Sequence, residues 1–97
     1  MNDQPGQAIA TLQTENERVI VTEWRFPPGT ATGHHVHAYD YVVVPMIGGA
    51  LTIAEDDGTR HQKTIVTGQS YAGPKGVSHD VINETGAEIV FVEIELK

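Results

Sequence analysis

Strand-forming segments alternate with glycine, proline and aspartate turns along most of this 97-residue chain, and this pattern constrains the fold most. The strongest turn signal is Asp56-Asp57-Gly58, because Asp-Gly supplies the positive φ that a tight hairpin turn requires. Pro27-Pro28-Gly29 ends an earlier segment. We find no convincing helical pattern. The segments rich in β-branched and aromatic residues are 18–26, 39–45, 50–54, 59–66, 70–72, 78–83 and 88–96.

About eight short strands predict an all-β fold, namely a barrel or jelly roll, with an open sandwich as the alternative. The length fits a single domain. We expect residues 18–97 to form the barrel, and residues 1–17 to form an N-terminal segment that is partly disordered or a short strand. A chain of this size has a thin core, so we also expect a homodimer.

The charge balance narrows the expected partners. Asp and Glu number 13 against 6 Lys and Arg, which gives a formal net charge of −7. Such a surface repels phosphate backbones and anionic lipids, so we expect neither nucleic acid nor a membrane as a partner. The first seven residues lack the features of a signal peptide, and we expect a cytoplasmic protein. The sequence has no cysteine, which excludes disulfides and thiolate metal ligands.

Two groups of histidines carry the main chemical signal. His35 and His37 are two residues apart, so on an extended strand their imidazoles project from the same face. His79 lies in a later strand after a turn rich in glycine and proline, and it completes a three-nitrogen cluster if the two strands are neighbours. Imidazole is the commonest protein ligand of transition metals, which predicts a divalent metal site. The alternative for His-x-His alone is a pair of exposed strand histidines.

The spacing of these groups resembles the two motifs of the cupin family. The first motif, G-x5-H-x-H-x3-E-x6-G, is matched at Gly29, His35, His37 and Gly48. The second, G-x5-P-x-G-x2-H-x3-N, is matched at Gly68, Pro74, Gly76, His79 and Asn83. The resemblance spans residues 18–97. It implies a double-stranded β-helix barrel of the jelly-roll type, a frequent homodimer, and a metal ion held by His35, His37 and His79.

The chain departs from the family where Tyr41 replaces the acidic ligand. Tyr41 shares strand parity with His35 and His37 and is expected to point into the barrel, whereas Asp40 points away. A phenol that titrates at about 10 is a poor ligand at neutral pH. We therefore expect a three-histidine site with Tyr41 beside it, bonded to a water or substrate; direct ligation by Tyr41 is the alternative.

The expected charge of this site indicates which molecules the metal ion would bind. Three neutral imidazoles leave the charge of a divalent ion uncompensated, which favours anionic oxygen ligands. The open positions left by three ligands suit either Zn²⁺ with a water or Fe²⁺ with a chelating substrate and O₂. We expect Fe²⁺ to be the functional ion, with Zn²⁺, Mn²⁺ or Ni²⁺ as alternatives.

The remaining polar residues carry weaker signals. Arg25 shares a strand face with Glu23, and its two alternatives are an exposed ion pair and an inward group that binds an anionic substrate. Glu93 and Glu95 alternate with aliphatic residues in the last strand, which predicts that they face solvent. Two further histidines are predicted at the surface, namely His34 and His61.

Residues 24–29, 40–45 and 91–96 are further similar to small bacterial cupins of beta-alanine degradation. That likeness implies a pathway setting and no particular reaction. The predicted three-histidine site, which resembles that of cupin dioxygenases, favours a small-molecule metalloenzyme, such as an Fe²⁺- and O₂-dependent dioxygenase that cleaves a C–C bond in a chelating β-dicarbonyl enolate. The alternatives are a non-catalytic, metal-dependent module that binds a small molecule or a sugar, and a metal-free structural cupin. No catalytic residue is assigned beyond the candidate Tyr41.

Overall fold

The computed structural model describes residues 5–97, which form eleven β-strands and no helix. Nothing in that range has the helical length and apolar character needed to cross a membrane. The strands are β1 (Gly6–Gln7), β2 (Ile9–Glu15), β3 (Val19–Phe26), β4 (Thr30–Ala31), β5 (His35–Val36), β6 (Asp40–Ile47), β7 (Gly49–Glu55), β8 (Arg60–Ile65), β9 (Tyr71–Gly73), β10 (Ser78–Asn83) and β11 (Ile89–Leu96).

The strands form two sheets with the core between them. One sheet has the order β1-β4-β10-β7-β8, with β5 also paired to β10, and the other has the order β2-β3-β11-β6-β9. Every pair is antiparallel except β1 with β4. The chain passes between the sheets at several points, as in a jelly roll. The predicted all-β, single-domain fold of this type is confirmed.

The β7–β8 hairpin is the one that Asp57-Gly58 predicts. Gly58 has a φ of 88°, which a glycine adopts without strain. The Asp57 carboxylate accepts hydrogen bonds from the backbone N–H and the hydroxyl of Thr59, at 3.0 and 2.6 Å. This local chemistry also sets the register of β8, in which Lys63 pairs with the buried Leu51 and shares its inward face.

Aromatic and aliphatic side chains fill the space between the sheets. Phe26 and Phe91 lie with their ring centroids 5.4 Å apart. Leu51 and Ile89 are each only 1% exposed. Phe26 ends β3 and Ile89 begins β11, so this part of the core lies at one end of that strand pair.

Asn83, the last residue of the second motif, has a structural role. Its side chain is fully buried, and its amide donates to the backbone oxygens of Phe26 and Ala87 at 2.9 and 2.8 Å. Its Oδ1 accepts from the N–H and the hydroxyl of Thr85. The side chain thus closes the turn between β10 and β11 and ties that turn to β3.

The last strand, β11, faces the opposite way from the prediction. Glu93 pairs with Val43 of β6, which is buried, so Glu93 and Glu95 face the interior and Glu93 is only 9% exposed. The outer face carries the aliphatic residues, Val92, Ile94 and Leu96. The prediction of solvent-facing glutamates is wrong because alternation defines two faces, and only the pairing with neighbouring strands decides which one is buried.

The predicted N-terminal segment contributes to both sheets. Residues 9–15 form β2, which pairs antiparallel with β3 and is exposed at every residue. Residues 6–7 form β1, which pairs with β4. The predicted disorder of the first few residues falls on positions 1–4, which lie outside the described residues. The domain boundary at residue 18 stays a prediction.

Candidate metal centre

The three predicted histidines meet at one point of the barrel. His35 on β5 and His79 on β10 are directly paired across the two strands, and His37 follows two residues after His35. The Nε2 atom of His37 lies 3.2 Å from that of His35 and 3.1 Å from that of His79. The sequence prediction that these three residues form one cluster therefore agrees with the geometry.

The loops of the second motif hold His37 in place. The N–H of Gly76 donates to the backbone oxygen of His37, and the N–H of His37 donates to the oxygen of Val77, both at 2.8 Å. Gly76 has a φ of 94°, a conformation that favours glycine. Gly76 of the second motif thus orients His37 of the first motif, which explains why the two motifs occur together.

The hydrogen bonds of His35 define which of its nitrogens is free. Its Nδ1 lies 2.9 Å from the backbone oxygen of Gly33, and a carbonyl oxygen only accepts, so Nδ1 carries the proton. In the neutral form of this ring Nε2 is then the nitrogen with the lone pair, and it faces the cluster. Lone pairs that face one another at 3.1–3.2 Å repel unless a proton or a cation lies between them.

The cluster fits a divalent transition metal. Burial, followed by the nearby His35 and His79, lowers the pKa of His37 to about 4. Burial and the nearby His35 also lower the pKa of His79. Both rings are consequently neutral near pH 7, as metal ligands must be. Two nitrogens that each bind one ion at about 2.1 Å are about 3.0–3.4 Å apart at octahedral or tetrahedral angles. This range matches the separations of His37 Nε2 from the other two Nε2 atoms.

Tyr41 packs directly against the cluster. Its ring stacks on His37 with a centroid distance of 4.0 Å and an interplanar angle of 20°, and it is 7% exposed. Burial, with a smaller contribution from Glu93, raises its pKa, so the phenol stays protonated at neutral pH. Asp40 points away and accepts a hydrogen bond from the N–H of Lys75 at 2.8 Å. Tyr41 thus points inward and Asp40 outward as predicted, although both lie on β6 and the strand of His35 ends at Val36.

The cluster opens into a cavity of about 410 Å³ between the sheets. This volume lies in the range of small-molecule sites. Aliphatic side chains and Phe91 form much of its wall, and Trp24, Tyr41 and Tyr71 add aromatic surface. The cavity therefore suits a small molecule with both apolar and polar groups. The aliphatic residues of the wall are Val43, Leu51, Ile53 and Val81, with Val36 and Val77 beside the histidines.

Sequence reasoning did not predict any of the four charged residues of the cavity wall, which are Glu55, Lys63, Glu93 and Glu95. Two of them bear on the site. Glu93 places its Oε2 4.0 Å from Nδ1 of His37. Burial first, and then the charge of Glu95, raises the pKa of Glu93 to about 7, while the indole of Trp24 acts in the opposite direction as a hydrogen-bond donor. Lys63 extends over the ring of Tyr71, with Nζ 4.0 Å from the centroid. Both positions follow from cross-strand register, for which the sequence carries no local signal.

The other predicted residues lie outside the cluster. Arg25 does not line the cavity; it forms ion pairs with Glu88 at 2.5 Å and with Glu23 at 3.4 Å. This is the first of its two predicted alternatives. His34 is exposed, and its Nε2 lies 2.7 Å from Oδ1 of Asp56. A second exposed histidine, His61, lies 2.9 Å from Glu55 and contributes to the cavity rim.

The fold and the histidine motifs define a cupin: the sequence profile of the cupin domain matches residues 22–95, and the chain belongs to that family. Over 91 residues the chain is 52% identical to the beta-alanine degradation protein BauB of Pseudomonas aeruginosa, covering 94% of this chain and 95% of that protein. The crystal structure of a cupin domain from Bordetella pertussis is 53% identical, with a TM-score of 0.92 and coverage of 96% of both chains.

A more distant structure shows that the same fold serves an enzyme. The polyketide cyclase RemF of Streptomyces resistomycificus superposes with a TM-score of 0.74 at 16% identity, covering 96% of this chain and 67% of that one. At this identity the likeness concerns the fold alone. The predicted family and the similarity to cupins of beta-alanine degradation are confirmed, and the three histidines are arranged so that they can hold a metal ion.

Proposed function

We propose that this cupin is a small-molecule metalloenzyme with one divalent metal ion on His35, His37 and His79, and with Fe²⁺ as the working ion. The observation that carries the proposal is the convergence of three Nε2 atoms on the wall of a mostly apolar cavity. Within the described residues the cluster contains no carboxylate. The ion would keep its full charge and favour an anionic, chelating substrate.

We propose that the reaction is an O₂-dependent C–C cleavage of a chelating substrate such as a β-dicarbonyl enolate. When bound, Fe²⁺ would supply open coordination positions and one-electron chemistry toward O₂. The aliphatic wall, which includes Leu51 and Ile53, keeps water from the bound substrate. The protonated phenol of Tyr41 is placed to donate a hydrogen bond to a substrate oxygen in the cavity.

The relative BauB supports a particular kind of substrate. That protein is named for beta-alanine degradation, and we propose that the substrate of this chain is a small carboxylate from the same catabolic setting. Lys63 is the one lysine or arginine among the described residues that line the cavity. It therefore takes the anion-binding role that the sequence suggested for Arg25.

Substitution of Lys63 tests this assignment. We expect Lys63→Met to raise KM for a carboxylate substrate about ten-fold with little change in kcat, because a binding contact far from the reacting bond contributes equally to ground and transition states. The matched control is Lys75→Met, since Lys75 is exposed and does not line the cavity. Equal KM values for both variants would remove Lys63 from the substrate site.

Anaerobic reconstitution with Fe²⁺ tests the reaction itself. The loaded protein is mixed with O₂-saturated buffer and a panel of β-dicarbonyls and keto acids, and O₂ uptake and product formation are followed. The double variant His35→Ala, His37→Ala is the control for activity of free iron. Turnover by the wild type alone supports the proposal, whereas equal rates in both samples contradict it.

A metal-dependent binding protein without turnover is the second candidate. It is favoured by the state of the two tyrosines in the cavity: burial raises the pKa of Tyr71 to about 12, and the pKa of Tyr41 is raised as well, so neither serves as a base at neutral pH. The discriminating observation is a ligand that raises the melting temperature of the metal-loaded protein and is recovered unchanged after hours of incubation.

A further inference from the structure

Glu93 is an acidic residue inside the barrel, at a position that belongs to neither cupin motif. It lies on β11, where it pairs with Thr22 of β3 and Val43 of β6. Its side chain is 12% exposed, and that of His37 is 5% exposed. An isolated carboxylate in such a place is strongly unfavourable unless it has a polar partner. Packing therefore gives no reason for a glutamate here.

The indole of Trp24 is one polar partner of this carboxylate, and the geometry offers His37 as a second. Nδ1 of His37 and Oε2 of Glu93 are 4.0 Å apart, while Nε2 of the same ring is turned to the other two histidines. The distance exceeds that of a hydrogen bond by about 1 Å, so a direct contact requires the Glu93 side chain to move toward the ring. The ring thus lies between the cluster on one side and a buried carboxylate on the other.

We propose that Glu93 is the outer carboxylate of the metal centre: it accepts the Nδ1–H of His37 and keeps Nε2 free for the ion. A histidine whose second nitrogen is bound to a carboxylate is a more basic ligand with a fixed tautomer. Glu93 is accordingly a positioning residue. This inference rests on the three-histidine site of the proposed function and is independent of its reaction.

The neighbouring Glu95 provides a matched comparison. It has the same charge, faces the same interior and lies two residues further along β11. The variants Glu93→Gln and Glu95→Gln each remove one negative charge from the cavity without a change of shape. An effect of the removed charge alone is therefore expected in both variants. The contact with His37 is lost only in Glu93→Gln.

The first measurement is the affinity for Zn²⁺ of the chelator-treated protein, by competition with a chromophoric chelator. We expect Glu93→Gln to bind zinc about 10–100-fold more weakly than the wild type, as is typical when an outer partner of a ligating histidine is lost. Glu95→Gln is expected to change the affinity less than about three-fold. Equal affinities of wild type and Glu93→Gln, or equal losses in both variants, would overturn the inference.

The second measurement needs no metal. Ring ¹⁵N shifts of the metal-free protein report the tautomer of each histidine, and we expect His37 in the wild type to be protonated at Nδ1. In Glu93→Gln this preference weakens, whereas His35 keeps its Nδ1–H because its acceptor is the backbone oxygen of Gly33. A wild-type His37 protonated at Nε2 contradicts the inference, even if the glutamine variant does not fold.

The two measurements separate the inference from the proposed function. If the wild type binds no zinc, the metal centre of the proposed function fails, and the tautomer of His37 still decides whether Glu93 contacts it. If the wild type binds zinc and Glu93→Gln binds it as tightly, the metal centre stands and the role of Glu93 is refuted.

Discussion

At the scale of single residues, His37 has a partner on every side of its ring. Tyr41 stacks on its face, the two other histidines contact Nε2, and Glu93 lies beside Nδ1. Its backbone is held by Gly76 and Val77. A ring with so many fixed neighbours has a single orientation, so each neighbour can be changed to test one contact.

Tyr41→Phe tests whether the phenol oxygen binds the ion. The variant keeps the stacked ring and loses only the hydroxyl, so we expect one zinc ion per chain and an affinity within about three-fold of the wild type. Zinc titration with elemental analysis measures both quantities, and His79→Ala, which removes a ligand, is the control. A loss as large as that of His79→Ala would make Tyr41 a fourth ligand.

The carboxylate of Glu93 makes the stability of the metal-free protein depend on pH. The fold raises its pKa from 4.5 to about 7, so the ionised form is disfavoured in the folded state. The resulting loss of stability is absent below the unfolded pKa, grows as the pH rises, and is complete above the folded pKa. We expect Glu93→Gln to be more stable than the wild type at about pH 8, by up to about 3 kcal/mol, with no such gain near pH 4.

Urea unfolding in the presence of a chelator, at both pH values, measures this difference. Glu95→Gln is again the control for the removal of one charge, and it is expected to show a smaller gain because Glu95 is more exposed than Glu93. A gain for Glu93→Gln that is the same at low and high pH would mean that its carboxylate carries no unfavourable charge in the folded protein.

At the scale of elements, local sequence signals predicted the turns. Pairing between distant strands determined which face of each strand is buried. The hairpin at Asp57-Gly58 and the loop at Gly76 follow from residues that favour those conformations. The inward position of Tyr41 agrees with its spacing to His37, although β5 ends at Val36 and Tyr41 lies on β6 of the other sheet. The face of β11 did not follow, because it depends on the pairing of Glu93 with strands that are some fifty or seventy positions away.

The close approach of β9 to β6 depends on Gly73. A Cβ atom at this position would overlap the phenol ring of Tyr41. We expect Gly73→Ala to displace Tyr41 from His37 and to lower the free energy of unfolding by about 1–3 kcal/mol. Gly86→Ala is the matched control, since a Cβ at Gly86 meets nothing within 4 Å. Equal urea midpoints for both variants would show that β9 moves aside freely.

At the scale of the whole molecule, the centre of the outer face of the five-stranded sheet is apolar. Its central strands carry β-branched residues that no other part of the described chain covers completely. These half-buried residues are Val21, Val42, Val44, Val92 and Ile94. The chain has a net charge of −7, so two copies repel over most of their surface. The β-branched centre of this face is where they can approach with least repulsion, and the charged residues Glu23, Arg25 and Asp40 lie beside it on the same face.

We propose that a second copy of the chain covers this face in a symmetric homodimer. Ile94→Glu places a charge at its centre, and we expect this variant to be a monomer under conditions in which the wild type is a dimer. Analytical ultracentrifugation measures the mass of each. Thr64→Glu, which adds the same charge at an exposed position of the other sheet, is expected to remain a dimer. A monomeric wild type, or a dimeric Ile94→Glu, would contradict the proposal.

The buried amide of Asn83 makes the turn before β11 less tolerant of an inserted residue than the Asp57-Gly58 hairpin. Its side chain is hydrogen-bonded to Thr85 and Ala87 within the turn and to Phe26 of β3, so an extra residue in this turn would break these bonds. One inserted residue there would slide β11 by one position and exchange its faces, with aliphatic residues beside the histidines and glutamates on the outside. An insertion at the exposed Asp57-Gly58 hairpin leaves β11 untouched. For an engineer, loop grafts belong at that hairpin, and the span from Asn83 to Ile89 must keep its length.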